Sequence, residues 1–225
     1  MTSTSLDASS STPPSEEIDD DETEAGAASV PASSVPRVLG VLLAVAGIIG
    51  FIAAFELTLD KFIVASNPDA PLSCNVSILV GCSKNLLSWQ GSLFGFPNPI
   101  LGLAGWTATI VVGAGILSGA RFARWYWLCF NLGVAGAMAL VVFLIGTSIF
   151  ALNILCPWCM LTWSVVIPTF WAVTLYNLKS GTIPLPRSLA RTAEILYYCV
   201  PLLTAVSYVI VAIIAQVHLD WLGAL

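Results

Sequence analysis

Apolar residues occupy this chain in long, nearly uncharged blocks, and those blocks predict its architecture. Residues 38–59 are interrupted only by Glu56, and residues 99–120 carry no charge at all. From Trp125 to Leu178 there are 54 residues without a charge. That is too long for one crossing and suits two helices joined by a tight turn near residues 151–155. A last block covers residues 195–217. A helix needs about 20 apolar residues to cross the hydrocarbon core of a bilayer. The pattern therefore predicts an all-α integral membrane protein with five transmembrane helices. Small residues four apart (Gly40/Ala44, Ala46/Gly50, Gly115/Gly119, Gly133/Ala137) offer surfaces on which such helices approach closely. No repeated unit suggests the inverted symmetry of many transporters.

Composition agrees and adds a tail. The 225 residues are 57% hydrophobic and 9% charged, against about 25% charged in soluble domains. Nothing in this balance calls for nucleic acid as a partner. The net charge of −5 is concentrated: eight of the thirteen acids lie in the first 24 residues. Residues 1–36 hold hardly a large apolar side chain, so they cannot offset their ordering entropy and read as a disordered acidic tail. A signal peptide begins with basic residues before an apolar core, so this tail is expected to be retained. With the N-terminus in the cytoplasm, Arg37, Arg121, Arg124, Lys179, Arg187 and Arg191 fall inside, and only Lys61 and Lys84 outside. Six against two satisfies the positive-inside rule.

Four cysteines then carry the candidate chemistry. Cys74 and Cys82 lie in the long loop 60–98, and Cys156-Pro157-Trp158-Cys159 opens the fourth helix. In this orientation both pairs emerge on the outer face, which in a bacterium is the oxidising one, where disulfides persist. Cys156 precedes a proline suited to the first helical turn, where the helix dipole favours a thiolate. Cys159 lies about 4.5 Å deeper at 1.5 Å per residue, nearer any apolar cofactor. Two static disulfides are the plain alternative. A zinc site of four thiolates is weaker, because no charged second shell surrounds the motif. Cys129 and Cys199 read as ordinary small apolar residues within spans. In the loop, a short amphipathic helix around residues 83–90 is expected to lie on the bundle mouth. It would hide the apolar side chains from Leu86 to Phe96, as an interfacial anchor or as a lid. Glu56 and His218 read as interfacial, and Asp60 and Lys61 as ordinary boundary charges.

The order Cys74, Cys82, Ser88, then Phe94-Gly95-Phe96-Pro97 leading into Leu101-Gly102, then the Cys-Pro-Trp-Cys motif, resembles the vitamin K epoxide reductase family. More narrowly it is similar to the bacterial members that oxidise thiols with quinones. The resemblance covers about residues 37–179. It implies a four-helix catalytic core (residues 37–180) around a quinone of the menaquinone or ubiquinone type, capped by the outer loop. Residues 181–225 then hold a cytoplasmic loop and a fifth helix. It further implies that Cys156 and Cys159 form the active-site pair, with Cys159 passing electrons to the quinone. Cys74 and Cys82 become the shuttle pair: Cys74 receives electrons from a thioredoxin-like or DsbA-like protein, and Cys82 attacks Cys156. Ser88 would support catalysis near the quinone, and Phe94 would line its site. Many bacterial relatives carry a fused thioredoxin-like domain after a fifth helix. Here about eight residues follow that helix, so the partner is expected to be a separate protein outside the bacterial cytoplasmic (inner) membrane. Two other readings stay open: reduction of a quinone epoxide by the same thiols, and a non-enzymatic scaffold with structural disulfides.

Overall fold

The computed structural model describes residues 36–219 apart from 76, 78, 79 and 185. The expectation of an acidic disordered tail, residues 1–36, lies outside them except for Pro36. The described chain is built of helices and the loops that join them: α1 (Arg37–Ser66), α2 (Ser83–Leu87), α3 (Asn98–Leu117), α4 (Arg124–Gly146), α5 (Pro157–Lys179), α6 (Arg187–Tyr198) and α7 (Val200–Leu219). Helices α1, α3, α4, α5 and α7 are long and apolar enough to cross a membrane. The protein is an all-α membrane protein.

The ends of the elements shift from the hydropathy pattern for physical reasons. Helix α1 spans 30 residues, about 45 Å at 1.5 Å per residue. It overshoots the roughly 30 Å hydrocarbon core, so its last turns carry Asp60 past the apolar stretch. Helix α4 continues through a π-helical stretch, Thr147–Leu152, and the chain then reverses at the expected turn, between Leu152 and the start of α5 at Pro157. Asn153 makes the reversal with φ 51°, a left-handed conformation that asparagine tolerates better than most residues. The last apolar block is not one helix from residue 195. Amphipathic α6 ends at Tyr198, Cys199 caps it, and α7 starts at Val200. Pro201 has no N–H to donate, which suits the first turn of a new helix. Cys199 therefore sits at a junction, not within a span.

Helices α1 and α3 form the closest seam. A Cβ on Gly113 would lie 2.6 Å from the Ala44 nitrogen, and one on Gly50 would run into the Trp106 ring. Gly40/Ala44 and Ala46/Gly50 thus act as the small-residue pattern predicts. Gly115/Gly119 does not: Gly119 turns the chain at φ +82° after α3. A Cβ on Gly133 would meet nothing within 4 Å. Val41, Val45, Ile48, Ile52, Phe55 and Leu59 form an exposed stripe along α1. Their alternating spacing of four and three marks one helix face, the face a lipid environment would cover.

Three buried clusters stack along the bundle. One end holds Leu39, Leu43, Val112, Trp127, Val173 and Tyr176; the middle holds Ala54, Trp106, Val141, Trp163 and Val166. The other end holds Leu57, Val64, Leu72 and Leu86 together with Cys74, Cys82 and Cys156. The core at that end is built partly of sulfur.

Candidate active site

The loop that carries Cys74 and Cys82 is fastened to the turn before α5. Val80 pairs with Leu155 in an isolated parallel bridge, and the Gly81 N–H donates to the Leu155 carbonyl at 2.9 Å. Asn75 braces the same segment. Its Oδ1 accepts from the N–H groups of Cys82 (2.9 Å) and Ser83 (3.4 Å), and its Nδ2 donates to Ser83 Oγ at 2.7 Å. Lys61 of α1 donates to the Leu86 carbonyl near the end of α2, where a helix terminus attracts a cation. Cys74 and Cys82 are joined as a disulfide, with Cα atoms 5.8 Å apart.

These ties bring two distant cysteines together. Cys82 Sγ lies 3.2 Å from Cys156 Sγ, across 74 residues of sequence. Cys156 occupies the N-cap of α5, and its sulfur accepts the Cys159 N–H at 3.4 Å, the bond a serine or aspartate makes at most helix starts. The Cys159 thiol, hydrogen-bonded to Cys156, holds the Cys156 thiol below its ordinary range; burial opposes this, and the N–H groups of Cys159 and Trp158 assist it. Cys156 is the thiol of the pair set up to react as a thiolate. Cys82 and Cys156 are fully buried, and Cys74 is 4% exposed.

Beneath the sulfurs lies a cavity of about 640 Å³, bounded by α1, α3, α4, α5 and the segment around α2. This is within the usual size of a small-molecule site. Its wall is apolar, with Leu57, Trp106, Val141, Trp163 and Val166 among its side chains, and Cys159 opens onto it. Two of the polar residues on this wall carry a buried atom that nothing described satisfies. Among the described residues Asn85 Nδ2 is buried without a hydrogen-bond partner, while its Oδ1 accepts from Ser148 Oγ at 3.2 Å. Gln90 Oε1 is likewise buried and unpartnered. A free donor and a free acceptor in an apolar wall are costly unless something else meets them.

The family model for the vitamin K epoxide reductase family matches residues 41–174. This chain belongs to that family. The match takes in every cysteine of the two pairs and all the helices that bound the cavity. As a member, the protein is a membrane oxidoreductase. No curated protein matches the chain.

Each site residue named from this family's motif has a place in the structure. Cys74, Cys82, Cys156 and Cys159 fall in one region. Ser88 lines the cavity, but its hydroxyl donates to the Asn85 carbonyl at 2.7 Å and so steadies the turn that carries Asn85. Phe94 lines the cavity and is largely exposed. The capping segment is shorter than the pattern suggests: α2 ends at Leu87, and a 3₁₀ turn covers Trp89–Ser92. It does not hide its apolar side chains either. Leu86 is buried, but Leu87, Trp89, Phe94 and Phe96 remain exposed, as aromatic residues at a membrane surface can be.

Three residues of the site escape the sequence pattern. Asn85 and Gln90 look like ordinary polar loop residues until the cavity is seen. Asp60, read as a boundary charge, is instead 7% exposed, with Oδ2 3.4 Å from Cys74 Sγ. Glu56 is half-buried one turn deeper on α1. Cys129, read as a plain apolar residue, lines the cavity wall.

Proposed function

We propose that this protein passes electrons from a reduced thioredoxin-like protein on the outer face of a bacterial cytoplasmic membrane to a membrane quinone. The net reaction turns the partner's dithiol into a disulfide, which supports disulfide formation in exported proteins. A partner thiolate attacks Cys74, and Cys82 leaves as a thiolate. Cys82 attacks Cys156 of an oxidised Cys156/Cys159 pair, and Cys159 leaves facing the cavity. The quinone supplies the acceptor for two electrons and two protons.

The observation that carries this reading is the 3.2 Å contact between Cys82 and Cys156, with Cys159 on the cavity wall. It joins a loop disulfide to an apolar chamber through one sulfur–sulfur step, and the contact serves either direction of exchange. The chamber suits a quinone. Its wall is apolar, as the ring and tail require. The orphaned Asn85 Nδ2 can donate to a ring carbonyl, and the orphaned Gln90 Oε1 can accept from a ring hydroxyl. Ser88 and Phe94 complete the rim.

The test mixes purified protein with a reduced DsbA-like protein and an oxidised quinone, and follows quinol for wild type and Cys159→Ala. Quinol from wild type alone supports the relay and its exit at Cys159. No quinol from wild type, with a partner known to be competent, overturns it in favour of epoxide reduction or a scaffold.

A further inference from the structure

We propose that Asp60 is the proton-holding group of the Cys74/Cys82 pair: it protonates Cys74 when that disulfide is reduced and takes the proton back when Cys74 resolves the next exchange. The inference rests on the proposed relay for its place in a cycle, but its geometry stands independently.

Asp60 is a buried carboxyl with no ion pair among the described residues. Burying a carboxyl without a cation is costly, and the neighbouring cation is turned elsewhere: Lys61 donates to the Leu86 carbonyl. Its ligand atom and those of Cys74 and Cys82 all lie within 4.8 Å of one another. Its contact with Cys74 Sγ, at 3.4 Å, joins carboxyl, disulfide and Cys156 into one continuous chain. The other ionisable groups nearby are Glu56 on α1, exposed Lys84 on α2, and Cys156 and Cys159 at the start of α5.

A disulfide sulfur has no hydrogen, so in the oxidised pair any hydrogen on the Asp60 to Cys74 contact belongs to the carboxyl. The exchange then balances as follows. A partner thiolate bonds to Cys74, the disulfide breaks, and Cys82 leaves as a thiolate. The partner's second thiolate displaces Cys74, which leaves as a thiolate beside Asp60. The Asp60 proton moves to Cys74, leaving a thiol that donates to a carboxylate. Thiolates attack and thiols do not, so Cys82 alone is left as the nucleophile toward Cys156. Cys82 bonds to Cys156, and Cys159 leaves. Cys74 then attacks Cys82 as Asp60 takes its proton, and Cys156 leaves as a thiolate. The disulfide is restored, Asp60 holds its proton again, and two electrons have moved from the partner to the Cys156/Cys159 pair. The carboxyl thus decides which of two adjacent sulfurs reacts inward.

The experiment is peptide-resolved alkylation of the reduced full-length protein across pH, for wild type, Asp60→Asn and Asp60→Glu. Asp60→Asn removes the charge that disfavours a Cys74 thiolate, so the Cys74 alkylation midpoint falls by about one pH unit or more. Asp60→Glu restores a carboxylate and keeps the midpoint near the wild-type value. An unchanged Cys74 midpoint in Asp60→Asn overturns the inference, as does an equal shift in Asp60→Glu, which would assign Asp60 a purely structural role. A shifted midpoint in a protein that makes no quinol upholds the Asp60 and Cys74 pair and overturns the quinone path instead.

Discussion

Replacing Asn75 with alanine should weaken the sulfur-to-sulfur transfer without touching a sulfur. Asn75 makes two short hydrogen bonds to the Cys82 end of the loop, at 2.9 Å to the Cys82 N–H and 2.7 Å to Ser83 Oγ, and a longer one at 3.4 Å. A neutral hydrogen bond contributes about 0.5–1.5 kcal/mol net. These lie partly in solvent, so the lower half of that range applies, and together they hold the loop by about 1–2 kcal/mol. That corresponds to a factor of about 5–30 in an equilibrium constant. The quantity to measure is the effective molarity of Cys82 toward Cys156. In a Cys74→Ala, Cys159→Ala background only Cys82 and Cys156 can pair at the site, and equilibration with glutathione reads that molarity directly. Asn75→Ala should lower it by about 5–30-fold. Asn75→Asp, which keeps the acceptor and loses the donor, should fall between. An effective molarity within about twofold of the parent would refute the reasoning, because the bracket would then contribute less than about 0.5 kcal/mol.

Other consequences are equally specific. The lowered thiol of Cys156 means that its thiolate persists as pH falls below the ordinary thiol range; alkylation of Cys156 in reduced protein should have its midpoint below that of a free thiol, and Cys159→Ala, which removes the largest cause, should raise that midpoint. Asn85→Leu removes the free donor from the cavity wall and should weaken binding of a short-chain quinone by about fivefold, one hydrogen bond's worth. Quenching of tryptophan fluorescence from Trp106 and Trp163 would read it, and unchanged affinity would count against Asn85 as a ligand contact. Gly136 lines the cavity, and a Cβ there meets nothing within 4 Å. Gly136→Leu should therefore abolish quinone binding while leaving Tm unchanged or higher; a lower Tm would mean that the space is not open.

Much of the fold is legible in hydropathy because a bilayer punishes exposed backbone and charge so heavily that crossings must be apolar and helical. That explains five of five spans, and it also explains the misplaced ends. Hydropathy averages over many residues, so it runs through the break at Cys199, which Pro201 marks for a reader attending to backbone chemistry. The site divides in the same way. The four cysteines are visible because thiols in two close pairs are rare. Their mutual placement is not, since it rests on a bridge between Val80 and Leu155 that no local pattern encodes. Asp60 is the instructive failure. At the end of an apolar run it resembles any boundary charge, and only the long overshoot of α1 turns it into a buried neighbour of Cys74.

The same burial sets a problem for the partner. Cys74 is 4% exposed, and a folded protein cannot bring a thiolate into line with a sulfur sealed to that degree. In the proposed relay, the segment from Cys74 to Leu86 must therefore lift before the partner attacks and settle before Cys82 meets Cys156. The ties that join it to the rest of the bundle are the Gly81 to Leu155 bond and the Lys61 to Leu86 bond; the Asn75 bracket lies within the segment and lifts with it. Two ordinary hydrogen bonds amount to about 1–3 kcal/mol, so the lifted form is populated between about one part in five and one in 150. Lys61→Met should then act with opposite signs on the two halves of the cycle. It lowers the effective molarity for the inner exchange, yet it raises the lifted population and should speed the partner's attack by about 2–10-fold. Rapid quenching of the reaction between a reduced thioredoxin-like protein and the Cys74 to Cys82 disulfide, in a Cys156→Ala, Cys159→Ala background, isolates that first exchange. A rate that falls on Lys61→Met would refute the lifting step, because Cys74 would then be open to its partner in the arrangement seen here.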